Sequence, residues 1–219
     1  MAIPVAPHCR RPPEKRWGLP YPRRYPALMG IVYVVQHGEK ERLPGDPGLT
    51  ARGRAQAALA AERLRGKGIA ELWTSPLLRT RETAAALAAA CGLDARVDAR
   101  LTERMNWDGA APIAAFAADW EATTRDRDFV PAAGDSSRAA GERFRAFLTE
   151  RGDAPVAVAC HGGVTVDLLR TLAGDDAVPE ALLREGVPGG AITVIEDLRP
   201  IAIAQTDHLG GRESKHRPA

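Results

Sequence analysis

The sequence predicts an α/β fold, a three-layer sandwich around a mostly parallel central sheet, and three observations carry that prediction. Short apolar runs alternate with longer helical patterns along most of the chain. Two of the runs, Ile31-Val32-Tyr33-Val34-Val35 and Val156-Ala157-Val158-Ala159-Cys160, lack polar residues, as strands buried on both faces of a parallel sheet do. Each leads to a histidine followed by glycine, His37-Gly38 and His161-Gly162, and glycine lets the backbone turn sharply just past a strand.

The elements follow in order. The first strand, 31–35, leads into a loop containing Pro44-Gly45-Asp46-Pro47-Gly48. Thr50 is a good N-cap and opens a helix that runs to Leu64, where Gly66 and Gly68 stop it. Residues 69–73 form a short buried strand. An Ala-rich helix over 76–91 is closed by Gly92, a fitting left-handed end residue. Arg96-Val97 is a brief strand, 101–109 a polar loop, and 111–124 a helix. A turn over 131–135 precedes a helix over 136–151, which Gly152 stops. The 156–160 strand and a helix over 163–173 complete the alternation. Residues 191–196 and 201–206 read as an antiparallel pair. There is no internal repeat and no second domain.

Composition narrows the class. A chain of 219 residues with 45% hydrophobic and 26% charged residues reads as one soluble globular domain with tails. No apolar run is long enough to span a bilayer, and no secretory segment opens the chain. Cys9, Cys91 and Cys160 are odd in number and show no CxxC spacing. They point to a reducing cytoplasm rather than a disulfide framework or zinc ribbon. The net charge of +2 is unevenly spread: residues 1–29 hold six basic residues against Glu14, which leaves the remainder acidic. The basic pI therefore belongs to the tail, and no nucleic-acid or membrane partner is expected for the core. With seven prolines, residues 1–29 read as a disordered tail, and Met29 reads as a natural start. Residues 30–207 form the single domain, and 208–219 a C-terminal tail. Oligomeric state is not legible.

Ligands of open parallel sheets bind beyond the carboxyl ends of the strands, so four segments should meet in one pocket. His37 follows the first strand, and Ser75-Pro76-Leu77-Leu78-Arg79 the second. Glu103 lies in the loop after the third. His161 follows the fourth, with Gly162-Gly163 opening the next helix. The remaining histidines, His8, His208 and His216, fall in the tails. Two imidazoles, a guanidinium and a helix N-terminus make an anion site. A carboxyl at the rim can serve as general acid, and one histidine can take up a phosphoryl group, with no metal required. Each residue also has a plainer reading: a core histidine, or an arginine on a solvated helix face. Glu39, Glu41, Asp46 and Asp108 rival Glu103 as the acid. Arg81 and Glu82 read as a solvated helix face, and Cys160 as a small buried residue behind His161.

The segments carry a resemblance together. They are His37-Gly38-Glu39; Leu49-Thr50-Ala51-Arg52-Gly53-Arg54-Ala55-Gln56-Ala57; Ser75-Pro76-Leu77-Leu78-Arg79-Thr80-Arg81-Glu82-Thr83-Ala84; Leu101-Thr102-Glu103 with Trp107 and Gly109; Gly134-Asp135-Ser136; and Cys160-His161-Gly162-Gly163-Val164. In this order the chain resembles the histidine phosphatase superfamily, whose fold is that of cofactor-dependent phosphoglycerate mutases, over residues 31–197. The resemblance implies that His37 is the nucleophile and that Arg79 and His161 hold the phosphoryl oxygens. Glu103 would protonate the leaving oxygen, and Gln36, Gly38, Lys40, Arg42 and Gly162 would bind substrate. It implies a small phosphorylated substrate and no metal or organic cofactor for hydrolysis.

Gln36 departs from the family pattern, which has arginine immediately before the nucleophile. Charge-assisted hydrogen bonds contribute about 1.5–3 kcal/mol and neutral ones about 0.5–1.5. A loss of about 1.4 kcal/mol is roughly tenfold in rate. The site should be weakened rather than abolished, with Lys40 or Arg42 able to supply the charge. Lys40 and Leu43 also stand where mutase-like members show Thr and Asn, and the stretch from Glu103 to Gly134 is short for a mutase. The reading is therefore a phosphomonoester hydrolase working through a phosphohistidine on His37. A phosphate-binding protein of weak or no activity and a mutase-type phosphotransferase are its alternatives. A metal site on His37, Glu39 and His161 lacks supporting spacing. A Cys160 phosphatase would need arginine at position 166, which is Val. No GxGxxG follows the first strand. The 111–124 helix and the loop before Gly134, with Trp107, Trp120 and Phe129, should form the lid that selects substrate.

Overall fold

The computed structural model describes residues 29–210, so the tail readings fall almost wholly outside the described residues. Met29, assigned to the tail by sequence, is the first described residue. Met29 is buried in the core and its N–H donates to Asp197 Oδ1 at 2.9 Å. At the other end a 3-10 turn over Asp207–Leu209 brings His208 Nε2 within 2.9 Å of Gly190 O.

The strands are β1 (Val32–Gln36), β2 (Glu71–Thr74), β3 (Ala95–Val97), β4 (Val156–Cys160), β5 (Ile192–Glu196) and β6 (Arg199–Gln205). The helices are α1 (Ala51–Leu64), α2 (Leu78–Cys91), α3 (Ile113–Arg125), α4 (Ser137–Thr149), α5 (Gly162–Ala173) and α6 (Glu180–Glu185). They form one six-stranded sheet in the order β3-β2-β4-β1-β5-β6. The first four of these run parallel to one another, β5 pairs antiparallel with β1, and β6 antiparallel with β5. Asp197 and Leu198, both at positive φ, make the tight turn between the last two strands. Sequence patterning assigns no element to 174–190. The structure places α6 there, and six residues are too few to show a helical period.

The sheet is covered on both faces, which is why β1 and β4 are apolar. Val32, Val34, Val156 and Val158 pack with Phe144, Phe147, Leu148, Val164 and Leu168 of α4 and α5. Val35, Ala157 and Ala159 pack with Ala60, Ala61, Leu64, Ala84 and Leu87 of α1 and α2. The side chains on α1 and α2 are small, and the layers approach closely. A Cβ on Gly38 would fall 2.1 Å from Gly53 O, and one on Gly53 2.0 Å from Glu39 O. These two glycines let the chain past β1 lie directly against the first turn of α1, which fixes the position of His37.

Candidate active site

Because β2, β4 and β1 are adjacent and parallel, the residues just past their ends stand side by side. The ladder continues beyond the strands: His37 N–H donates to Cys160 O at 3.0 Å and Ser75 N–H to Ala159 O at 3.4 Å. His37 and His161 therefore meet edge to face, with ring centroids 5.3 Å apart and planes at 70°.

The two imidazoles differ in their partners. His37 Nδ1 lies 2.7 Å from Gly38 O, a pure acceptor, so Nδ1 carries the proton and the Nε2 lone pair is free. Burial, and then the charges of Arg79 and Lys40, pull its pKa down to about 4 despite the Gly38 bond, and the ring is neutral at pH 7. His161 is fully buried. Burial first, then His37, Arg79 and Arg143, hold it well below the ordinary histidine range. Its Nε2 lies 2.7 Å from Ser75 Oγ, while its Nδ1 is buried with no hydrogen-bond partner among the described residues.

Arg79, in the first turn of α2, is only 3% exposed. Nη2 donates to Asn106 Oδ1 at 3.1 Å, and Nη1 lies 3.9 Å from Asp46 Oδ1. Among the described residues Nε and Nη1 have no hydrogen-bond partner, and burial lowers its pKa. Asn106 also donates to Gly45 O at 2.7 Å, and Asp46 Oδ1 accepts from Leu78 N–H at 2.7 Å. The loops after β1 and after β3 are thus joined around Arg79. Sequence reading does not find Asn106, which has no pattern to mark it.

Glu103 sits at the N-terminus of α5. Oε1 accepts from Val164 N–H at 2.7 Å and Arg104 N–H at 2.9 Å, and Oε2 from Gly163 N–H at 3.0 Å. The otherwise unpaired amides of the first turn of α5 hold the carboxyl group in place there. Gly163 is required by space: a Cβ would fall 2.6 Å from both Glu103 Oε1 and the Trp120 ring. Trp120, on the expected lid helix α3, also covers the Arg104 guanidinium at 4.1 Å.

The remaining expected residues divide. Gln36 is 6% exposed and its Oε1 is unpartnered; its Nε2 would be 3.4 Å from a Cβ on Gly162. Lys40 is half-buried and near enough for its charge to act on His37, while its Nζ donates to Glu41 O at 3.3 Å. Burial first and then Arg79 lower its pKa, and its backbone pairs with Leu49 in an antiparallel bridge. Arg42 lies exposed two residues on, and among the described residues no contact joins it to the histidine pair. Three of the four rival acids have partners of their own: Glu39, beside the His37 cleft, with Thr50 and Arg52; Asp108 with Ala110 N–H; and Asp46, at the site itself, with Leu78 N–H and Arg79. Glu41 is exposed. Glu82, expected on a solvated face, instead accepts from Leu49 N–H at 2.6 Å and braces the loop opposite. Cys160 is buried, with its thiol donating to Leu101 O and its pKa pushed up to about 12 by burial. Among the described residues, no three His, Cys, Asp or Glu side chains are grouped as a metal ion requires. No described helix is long and apolar enough to cross a membrane. A cleft of about 580 Å³ opens beside His37, lined by Gln36, Glu39, Gln56, Gly189 and Thr206 among others.

The model of the histidine phosphatase superfamily (branch 1) matches residues 32–197, from the first residue of β1 to the turn after β5. The chain belongs to this superfamily. The "Probable phosphoglycerate mutase GpmB" of Yersinia enterocolitica is 35% identical over 172 residues, covering 70% of this chain and 79% of that protein. The protein of the same name from Citrobacter koseri is 47% identical over 79 residues, which span 33% of this chain and only 37% of the relative. Among solved structures, a mycobacterial glucosyl-3-phosphoglycerate phosphatase complexed with inorganic phosphate superposes with a TM-score of 0.61 at 27% identity. That match covers 76% of this chain and 89% of the other. The superfamily thus supplies mutases and phosphatases as relatives of one mixed-sheet sandwich.

Proposed function

We propose that this protein hydrolyses small phosphomonoesters through a phosphohistidine formed on His37. One observation carries the reading. Arg79 Nε and Nη1 and His161 Nδ1 are buried without partners around a neutral histidine whose Nε2 lone pair is free. Buried polar groups are ordinarily paired, so such a set is matched by a ligand rich in acceptors. A tetrahedral oxyanion supplies them.

In the first step His37 Nε2 attacks phosphorus and the P–O bond to the alcohol breaks. Glu103 gives its proton to the departing oxygen. In the second, water attacks phosphorus and returns its proton to Glu103, the P–N bond breaks, and inorganic phosphate leaves. Glu103 Oε1 accepts two amides and Oε2 one, so an Oε2 lone pair is left for the proton it passes. Arg79, His161 and Lys40 hold the phosphoryl oxygens, and Gln36 adds neutral hydrogen bonds where a second guanidinium is usual.

Hydrolysis of an aryl phosphate with chelator present, beside His37→Ala, tests the proposal. Turnover that the variant loses by at least a hundredfold is expected. Equal rates in the two proteins would overturn it. A substrate screen starts from phosphoglycerates and glycosylated phosphoglycerates, the compounds in the relatives' names. The mutase alternative has those names behind it. It predicts that the phosphoenzyme hands its phosphoryl group to an added phosphoglycerate faster than to water. Gln36→Arg should raise kcat/KM about tenfold, the worth of about 1.4 kcal/mol of charge-assisted bonding. An unchanged or lower value would count against this account of Gln36.

A further inference from the structure

The hydroxyls of Ser75 and Thr80 lie behind His161, on the side away from its unpartnered nitrogen. Ser75 Oγ is 2.7 Å from His161 Nε2 and 2.8 Å from Thr80 Oγ1, and it accepts Leu77 N–H at 3.2 Å. Thr80 Oγ1 is also 2.7 Å from Leu77 O. All three side chains are fully buried. A neutral imidazole has one N–H, and each hydroxyl has one proton. The distances therefore admit two complete proton orders.

In one order His161 Nε2–H donates to Ser75, Ser75 to Thr80, and Thr80 to Leu77 O. His161 Nδ1 then offers only a lone pair. In the other, Thr80 donates to Ser75 and Ser75 to His161 Nε2, which moves the imidazole proton to Nδ1. Only the second presents a donor to an anion. The first leaves a lone pair facing the anion's own.

We infer that Ser75 and Thr80 form a two-hydroxyl relay that sets the tautomer of His161, and that anion binding selects the order in which Ser75 donates to Nε2. Ser75 is a positioning residue acting through His161. The inference rests on the reading of His161 as a phosphoryl-binding group, but the relay makes a claim that needs no ligand. Its two members have opposite effects when removed. Without Thr80 the first order loses the acceptor for the Ser75 proton, and Ser75 can satisfy its hydroxyl only by donating to Nε2. Without Ser75, Nε2 has no partner in either tautomer.

Nitrogen-15 NMR of the imidazoles tests this, with His161 assigned by His161→Gln and with orthovanadate as the anion. Wild type should pass from the Nε2–H form without vanadate to the Nδ1–H form with it. Thr80→Val, similar in shape, should show Nδ1–H without any vanadate and bind vanadate at least as tightly as wild type. Ser75→Ala should bind vanadate about tenfold more weakly, and Ser75→Thr, which keeps the hydroxyl, should recover most of that loss. A purely structural role predicts that Ser75→Ala and Thr80→Val weaken binding alike. That result, or an Nε2–H tautomer in Thr80→Val, overturns the relay. Failure of wild type to bind vanadate would overturn the proposed function instead, and the tautomer in anion-free Thr80→Val would still decide for or against the relay.

Discussion

Replacing Arg79 with methionine should cut kcat/KM on an aryl phosphate by roughly 10²–10³ while leaving Tm unchanged or slightly higher. The two halves have one cause. Arg79 is a cation held at 3% exposure with Nε and Nη1 unpaired, an arrangement that costs the fold stability. The one hydrogen bond its guanidinium makes among the described residues, to Asn106, contributes about 1 kcal/mol, and Asp46 lies 3.9 Å from Nη1. Methionine fills similar space with no charge to desolvate. The same unpaired N–H groups would stabilise charge on a transferring phosphoryl group, in a site where their reorganisation has already been met in folding. Arg79→Lys should recover only part of the loss, because a point charge does not reproduce the guanidinium fork. Kinetics and thermal melts on the same preparations check this. A fall in Tm that tracks the fall in activity would make Arg79 a structural cation and remove the principal support for an anion site.

The strand ends were legible because two signals coincide at each. An apolar run with no polar residue demands burial on both faces, and His-Gly at its end places an imidazole where the chain must turn. Those signals place His37 and His161 side by side, and the Ser75-Pro76 turn after the second strand brings Arg79 to the same edge. What sequence could not show is how loops meet. Asn106 and Asp46 reach Arg79 across 27 and 33 positions of chain, through the folding of two irregular loops against each other. Lys40 and Arg42 are both loop cations two residues apart. The structure half-buries the first, where a bridge to Leu49 with no local signature ties its backbone down, and leaves the second exposed. Glu82 looked solvated because α2 carries polar residues there. It is engaged because the loop at Leu49 returns across it. The short α6 lacks the length for a period, and nothing in the sequence pattern marks Arg104 and Asp167 as a buried pair.

Asp167 carries the second large effect. It is fully buried on α5, and Oδ1 accepts from Arg104 Nη1 at 2.7 Å and Ser137 Oγ at 2.7 Å. Arg104 is itself 2% exposed beneath Trp120, and its amide binds Glu103. Asp167→Ala leaves that guanidinium buried without its counter-charge and should cost about 3–5 kcal/mol. At about 2–4 °C per kcal/mol for a chain of this size, Tm should fall by roughly 6–20 °C. Asp167→Asn keeps an acceptor for both partners and should fall by far less. The carboxyl also gives the pair a pH signature. Burial raises its pKa to about 6, outweighing the attraction of Arg104 and the Ser137 bond, whereas in the unfolded chain it titrates near 3.9. The fold therefore binds this proton more tightly. The stability it contributes is full below about pH 4 and is lost as pH rises through 6. His37 and His161, lowered in the fold, act in the opposite sense: their contribution is full above about 6.5 and is lost as pH falls. Both histidines are common to wild type and variant, so their effect cancels in the difference. The Tm of Asp167→Asn minus that of wild type should rise between pH 5 and pH 8. A flat difference would mean that Asp167 stays ionised throughout and that Arg104 wins over burial. Equal destabilisation by Ala and Asn would mean that the charge, rather than the acceptor, is what Arg104 requires to hold Trp120 and Glu103 in place.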